Sequence, residues 1–94
     1  MRFNTVATAI AVTMLSHELT FEEWCTIADQ SSTKDVIYLL HSTTGYATKH
    51  KPKGIATDLY RPSPAFMLQV KRAFKANNGN GVAAYDQVMS ELTA

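Results

Sequence analysis

The chain has 94 residues, which is enough for one domain with one core and too few for two. Its composition, 46% hydrophobic and 18% charged, excludes a disordered tail and is typical of an ordinary globular protein. The net charge of +1 says little, but seven of the nine lysines and arginines lie between residues 49 and 75, with Asp58 as the one acid there. This asymmetry indicates either a phosphate-binding surface or merely a solvated face.

The first predicted helix spans residues 4 to 15. Phe3, Val6, Ile10 and Met14 share one face of it, which is typical of a core helix. The run loosely resembles a signal peptide, but threonines interrupt it, no small-x-small cleavage site follows, and it is too short to span a membrane. We therefore expect a cytoplasmic protein without membrane contact.

Two capped helices are predicted next. Thr20 with Glu23 forms the pattern of a capping box, so a helix is expected over 20–29. Ser32 caps the following helix, 32–43, which ends before Gly45, a residue suited to a left-handed C-terminal cap. The apolar residues of these two helices are Phe21, Trp24, Cys25, Ala28, Val36, Ile37, Leu39 and Leu40.

A short two-stranded hairpin is predicted over residues 45–60, with an ordered or mobile loop as the alternative. Apolar and polar residues alternate from Ile55 to Tyr60, as in a strand, and the turn residues Pro52 and Gly54 precede them.

The C-terminal third predicts two more helices. Ser63 followed by Pro64 is a strong helix start, so we expect a helix over 63–77 whose outer side carries lysines and an arginine. An Asn- and Gly-rich turn ends it, and a last helix follows over 82–92. The two should form an antiparallel hairpin. The predicted fold is one mainly α domain of about five short helices with a small hairpin.

Residues that would support catalysis or metal binding form no recognisable motif. Cys25 is the only cysteine, so an intramolecular disulfide and a Cys-rich zinc site are excluded, and it is interpreted as a small core residue rather than a nucleophile. The three histidines are scattered, and no glycine-rich phosphate loop is present. We therefore expect no enzyme activity, no metal and no cofactor.

The order of the predicted elements resembles a winged helix-turn-helix, with three helices followed by a hairpin wing. Ala28 occupies the position of the small residue that faces the recognition helix in that family. Ser32 stands where glycine is common, and Tyr38 where an aliphatic residue is more usual. The resemblance covers about two-thirds of the chain and involves no invariant motif. It implies a small DNA-binding transcriptional regulator, with duplex DNA as partner.

The resemblance also assigns roles to individual residues. Thr33 lies partly outside the buried stripe of the third helix. Lys34 and His41 are expected to contact base edges in the major groove. The lysines of the predicted hairpin wing, Lys49, Lys51 and Lys53, would contact phosphates, and Arg61 would add a sugar or phosphate contact. The predicted DNA-binding set is Thr33, Lys34, His41, Lys49, Lys51, Lys53 and Arg61.

A protein-binding module, such as a small inhibitor or adaptor of a larger host protein, is the alternative function. The predicted third helix contains Lys34 as its one fixed cation, with Asp35 beside it, and the preceding helix is acidic. A DNA-reading helix is usually more basic. The opposed acidic and basic segments would then steer a protein partner. A homodimer, formed through the first and last helices, is expected in the DNA-binding case.

Overall fold

Five α-helices and one short 3-10 helix form the described part of the chain. The structure is a computed structural model and describes residues 2–48 and 57–93. The helices are α1 (Arg2–Ser16), α2 (Phe21–Gln30), α3 (Thr33–Thr44), α4 (Pro64–Ala76) and α5 (Gly81–Thr93), and the 3-10 helix is Asp58–Tyr60. The prediction of a mainly α protein with five helices is confirmed.

The predicted two-stranded hairpin over 45–60 is wrong. Residues 45–48 form no strand, and Asp58–Tyr60 coils into the 3-10 helix, so neither described flank is paired. The amide of Arg61 donates to the carbonyl of Asp58 over 3.0 Å, which closes this turn locally. An isolated two-stranded hairpin is marginal in water, so a local turn can replace it. The winged-helix-like arrangement thereby loses its wing in the described residues, and residues 49–56 lie outside them.

α1 is the central helix, and it is buried on every side. Its nine consecutive residues 6–14 are all buried, whereas the sequence predicts a single inward stripe. The small side chains of Ala7, Ala9 and Ala11 allow close approach, and α3, α4 and α5 all pack on this helix. A helix enclosed on all sides belongs to the interior. The predicted dimer face on the first helix is therefore not accessible. None of the described helices is long and apolar enough to cross a membrane.

The core has two halves that meet at α1. One half joins α1 through residues such as Ile10 to α2 and α3, where Trp24 and Leu40 are fully buried. The other half joins α1 through Ala11 and Val12 to the buried residues of α4 and α5, which are Val70, Ala73, Ala84 and Val88. α2 and α4 consequently belong to different halves of the core.

The helices α4 and α5 run antiparallel, as the sequence predicts, and polar side chains join them. Nδ2 of Asn77, just after α4, donates to Oε1 of Gln87 over 2.8 Å, and Nε2 of Gln69 donates to Oε1 of Glu91 over 3.0 Å. Near the start of α5, a Cβ at Gly81 would overlap the carbonyl oxygen of Thr43. Glycine at this position therefore permits the close approach of α5 to the end of α3.

Two threonines of α1 provide a test of this packing. Thr8 and Thr13 are fully buried, and neither hydroxyl has a hydrogen-bond partner among the described residues. An unsatisfied buried polar group costs about 1–3 kcal/mol. Replacing either threonine by valine keeps the shape and removes the hydroxyl, so Thr8→Val and Thr13→Val should each raise the free energy of unfolding by about 1 kcal/mol in urea titrations.

Thr44→Val is the matched control, because the buried hydroxyl of Thr44 is satisfied. It donates to the carbonyl of Leu40 over 2.7 Å and accepts from the amide of Tyr46 over 3.1 Å. This substitution should lower the free energy of unfolding by about 1 kcal/mol. Equal destabilisation by all three substitutions would contradict the packing of α1 described above.

Candidate functional site

The outer face of α3 belongs to a helix that is fixed at both ends. The hydroxyl of Ser32 accepts a hydrogen bond from the amide of Asp35 over 3.1 Å, and Gly45 adopts a φ of 79° while its amide donates to the carbonyl of His41 over 2.8 Å. Both predicted caps are confirmed. The residues buried on the inner face of α3 are Val36, Leu40 and Thr44.

Three residues of the predicted DNA-binding set are exposed on α3. These are Thr33, Lys34 and His41. Lys34 and His41 lie one turn before and one turn after Tyr38, so the three side chains form a single outward stripe. Tyr38 is 71% exposed, although it is a large aromatic residue in the middle of a helix. In the sequence, Tyr38 stands out only as a departure from the helix-turn-helix pattern. Its position outside the Val36–Leu40 stripe was the signal that could have marked it as a surface aromatic.

Of the four remaining predicted residues, one lies in the described part of the chain. Lys49, Lys51 and Lys53 lie outside the described residues. Arg61 is engaged elsewhere: its guanidinium donates to Oε2 of Glu22 over 2.6 Å and to Oδ1 of Asp58 over 3.1 Å.

The same guanidinium lies over the ring of Phe21, 4.4 Å from its centroid. A phosphate would therefore have to compete with two carboxylates and a cation–π contact for Arg61. We call this set of contacts between Arg61, Phe21, Glu22 and Asp58 the Arg61 clamp. It holds the segment before α4 against the first turn of α2.

The Arg61 clamp also changes the acidity of its members. The hydrogen bond from Arg61 holds the pKa of Glu22 below its ordinary value, aided by a backbone hydrogen bond and by the positive charge. The hydrogen bonds to Glu22 and Asp58 raise the pKa of Arg61. Both shifts favour the charged forms. The clamp is therefore an ion pair throughout the neutral range.

An open groove runs along the outer side of α2. It has a volume of about 380 Å³ and is lined by Leu19, Glu22, Glu23, Thr26 and Ile27. These residues are spaced at i, i+3, i+4, i+7 and i+8, so they share one face. Glu23 is also held in the capping box, since its carboxylate accepts from the amide of Thr20 over 2.8 Å. The predicted capping box is thus confirmed. We call this surface the α2 groove.

A basic strip occupies the outer face of α4. It consists of Leu68, Lys71, Arg72 and Lys75, spaced at i, i+3, i+4 and i+7 and all exposed. The sequence predicts that these three cations lie on the outer side of the helix, as observed, but no motif links them to a binding site. None of them forms an ion pair with an acid of the described residues. We call this surface the α4 strip.

Groups suited to metal or nucleophilic chemistry are dispersed. No three His, Cys, Asp or Glu side chains in residues 2–48 and 57–93 gather closely enough to hold a metal ion. Nε2 of His17 lies 3.1 Å from the hydroxyl of Thr43, which ties the end of α1 to α3. Cys25 is partly buried against the α2–α3 half of the core, and this burial raises the pKa of its thiol.

Comparison with protein-family models, with curated proteins and with solved structures finds no match. The resemblance to winged helix-turn-helix proteins therefore stays a prediction from the order of the sequence elements.

The Arg61 clamp makes a testable prediction about pH. Because the pKa of Glu22 is lowered in the folded chain, its contribution to stability is present above its ordinary pKa of about 4.3 and is lost as pH falls through the lowered value. Arg61→Gln removes the charged donor, so the pKa of Glu22 should rise towards the ordinary value in an NMR titration of its carboxyl carbon.

Glu91 is the internal control in the same titration. Its pKa is lowered by hydrogen bonds from Gln69 and Gln87, and neither residue belongs to the Arg61 clamp. Arg61→Gln should leave the pKa of Glu91 unchanged. An unchanged pKa of Glu22, or an equal rise for both carboxyl groups, would contradict the role given to Arg61.

Proposed function

We propose that this protein is a non-enzymatic binding module that docks a protein partner on the outer face of α3, centred on Tyr38. The observation that carries the proposal is the 71% exposure of Tyr38 in the middle of a helix capped at both ends. Tyrosine is enriched among the residues that dominate binding energy at protein interfaces. It offers a large contact area with few side-chain torsions to immobilise.

The rigidity of α3 supports this proposal. Val36 and Leu40 anchor the helix to the core, and α1 and α5 both pack against it. A partner would therefore meet a preformed surface, and binding would require little ordering of this chain. Lys34 and His41 flank Tyr38 on the same stripe and supply polar groups for its rim, as is usual around an interface centre.

The charge of the neighbouring surface favours a protein partner over duplex DNA. α3 contains one lysine, Lys34, and Asp35 lies next to it. The exposed acids of α2 include Glu22, Glu23 and Asp29, and Arg61 is already paired with two carboxylates. DNA binding depends on unpaired cations that replace the counterions of the phosphates. The α2–α3 side of the described chain offers few of them.

Duplex DNA remains the alternative partner, and the α4 strip is the described surface that would favour it. Lys71, Arg72 and Lys75 are exposed there without acidic partners in the described residues. They lie on α4, whereas the predicted recognition helix is α3. A DNA-binding mode through this strip would be non-specific, because it would contact phosphates rather than base edges.

Site-specific photocrosslinking tests the proposal. A benzophenone amino acid placed at position 38 in the native host should give a discrete protein adduct that survives nuclease treatment. The same group at Ser90, an exposed position on α5, is the control and should not give that adduct. An adduct that disappears with nuclease, or one that forms equally from both positions, would contradict protein docking at Tyr38.

The affinity for the crosslinked partner provides the quantitative check. Tyr38→Ala should weaken binding by about 30-fold or more, the effect expected of an interface hot spot of about 2 kcal/mol. Because Tyr38 is exposed, the substitution should leave the urea unfolding transition nearly unchanged. Ser90→Ala should affect neither quantity. Unchanged affinity in Tyr38→Ala would remove Tyr38 from the centre of the interface.

A further inference from the structure

The α2 groove and the α4 strip have matching patterns and opposite charge. Two glutamates, Glu22 and Glu23, sit between apolar residues in the groove, and two cations, Lys71 and Arg72, follow the exposed Leu68 in the strip. The strip spans eight residues of α4 and the groove spans nine, 19–27, so both are roughly 12 to 14 Å long. The two surfaces are therefore similar in length, and the adjacent cations Lys71 and Arg72 match the adjacent acids Glu22 and Glu23. The third cation, Lys75, has no acid opposite it in the groove.

These two surfaces do not meet within one chain. α2 packs on one half of the core and α4 on the other, and the described ion pairs include none between the groove and the strip. Leu68 is 49% exposed, although it is a large apolar side chain. In the groove, Glu22 is paired with Arg61 and Glu23 accepts from the amide of Thr20, but together with Asp58 the three carboxylates outnumber this one cation. The groove therefore keeps a net negative charge, and the cations of the strip have no ion-pair partner among the described residues.

The geometry points to a second copy of this chain as the occupant of the α2 groove, with the α4 strip of that copy docked in it. An antiparallel register brings Leu68 towards Ile27 and places Lys71 and Arg72 opposite Glu23 and Glu22. The apolar contact excludes water from the centre, and the charges select the register. This surface is distinct from the outer face of α3, so the protein self-associates without occupying Tyr38.

The contact is weak and sensitive to salt, because exposed ion pairs contribute little individually and one pair of helices buries a small area. It should therefore be detectable only at high protein concentration and low ionic strength. The Debye length falls from about 30 Å at 0.01 M salt to about 3 Å at 1 M salt, so the electrostatic part is lost over this range.

Sedimentation equilibrium at low and high salt is the first test. At low salt the weight-average mass should rise above the 10.4 kDa of one chain as the concentration increases, and it should return to that value at high salt. A single 10.4 kDa species at every concentration and at both salt levels overturns the proposal.

Charge changes on the two surfaces test which residues form the contact. Lys71→Glu with Arg72→Glu reverses the strip at two exposed, unpaired positions. Glu23→Gln with Thr26→Lys changes the charge of the groove, keeps a residue type that suits the capping box, and leaves the Arg61 clamp intact. Each double variant alone should associate at least tenfold more weakly than the unmodified chain. An equimolar mixture of the two should recover association, since the unchanged strip of the groove variant can dock in the unchanged groove of the strip variant.

Ser90→Glu is the control, because it adds a negative charge at an exposed position on α5 outside both surfaces and outside the outer face of α3. It should leave the association constant unchanged. Circular dichroism checks that every variant retains its helix content, and the neutral pair Lys71→Gln with Arg72→Gln replaces the strip variant if that one unfolds. An equal loss in Ser90→Glu, or a mixture that fails to recover association, overturns the assignment of the groove and the strip.

Discussion

The burial of α1 on every side is the constraint on which the rest of the structure depends. A helix with one apolar stripe can lie at the edge of a bundle, with its polar side in water. A helix with nine consecutive buried residues must be surrounded by other parts of the chain. The alanines of α1 make this possible, because small side chains let neighbouring helices approach closely. The other helices are therefore arranged around α1, and each has an outward face.

This arrangement determines where a partner can bind. α1 offers no accessible surface along residues 6–14, so a surface for the proposed partner has to lie on the outer faces of the other helices. Those faces differ in chemistry: α3 presents an aromatic residue, α2 an acid-rimmed groove and α4 a strip of cations. The Arg61 clamp adds to this difference, because it pairs with carboxylates the arginine that the helix-turn-helix resemblance assigns to a DNA contact.

Local signals in the sequence predicted the helices well, whereas signals that depend on tertiary contacts were missed. Thr20, Ser32 and Ser63 each place a side-chain oxygen where it accepts from an amide of the first helical turn, so the helix starts are encoded within four residues. The hairpin failed because the apparent alternation near residue 58 competes with a turn whose hydrogen bonds are also local. The pairing of Arg61 with Glu22 could not be foreseen, since the two residues are 39 positions apart in sequence.

The exposure of Tyr38 and the burial of α1 illustrate the same limit. An amphipathic pattern shows which face of a helix is more apolar, but it does not show how many neighbours surround the helix. Ala9 and Ala11 are compatible with a surface helix or an enclosed one, and only the packing of three other helices against them decides between the two. The proposed binding surfaces consequently depend on the assembled fold rather than on a short motif.

Native-state hydrogen exchange of the α1 amides measures directly whether α1 is enclosed by the other helices. If α1 is enclosed by the other helices, its amides over residues 6–14 can exchange only when the whole chain unfolds. They should therefore be the slowest in the protein, with an opening free energy equal to the global free energy of unfolding from urea titration. Exchange of these amides at a lower free energy than those of α4 and α5 would contradict the account, because α1 could then separate from helices that remain folded.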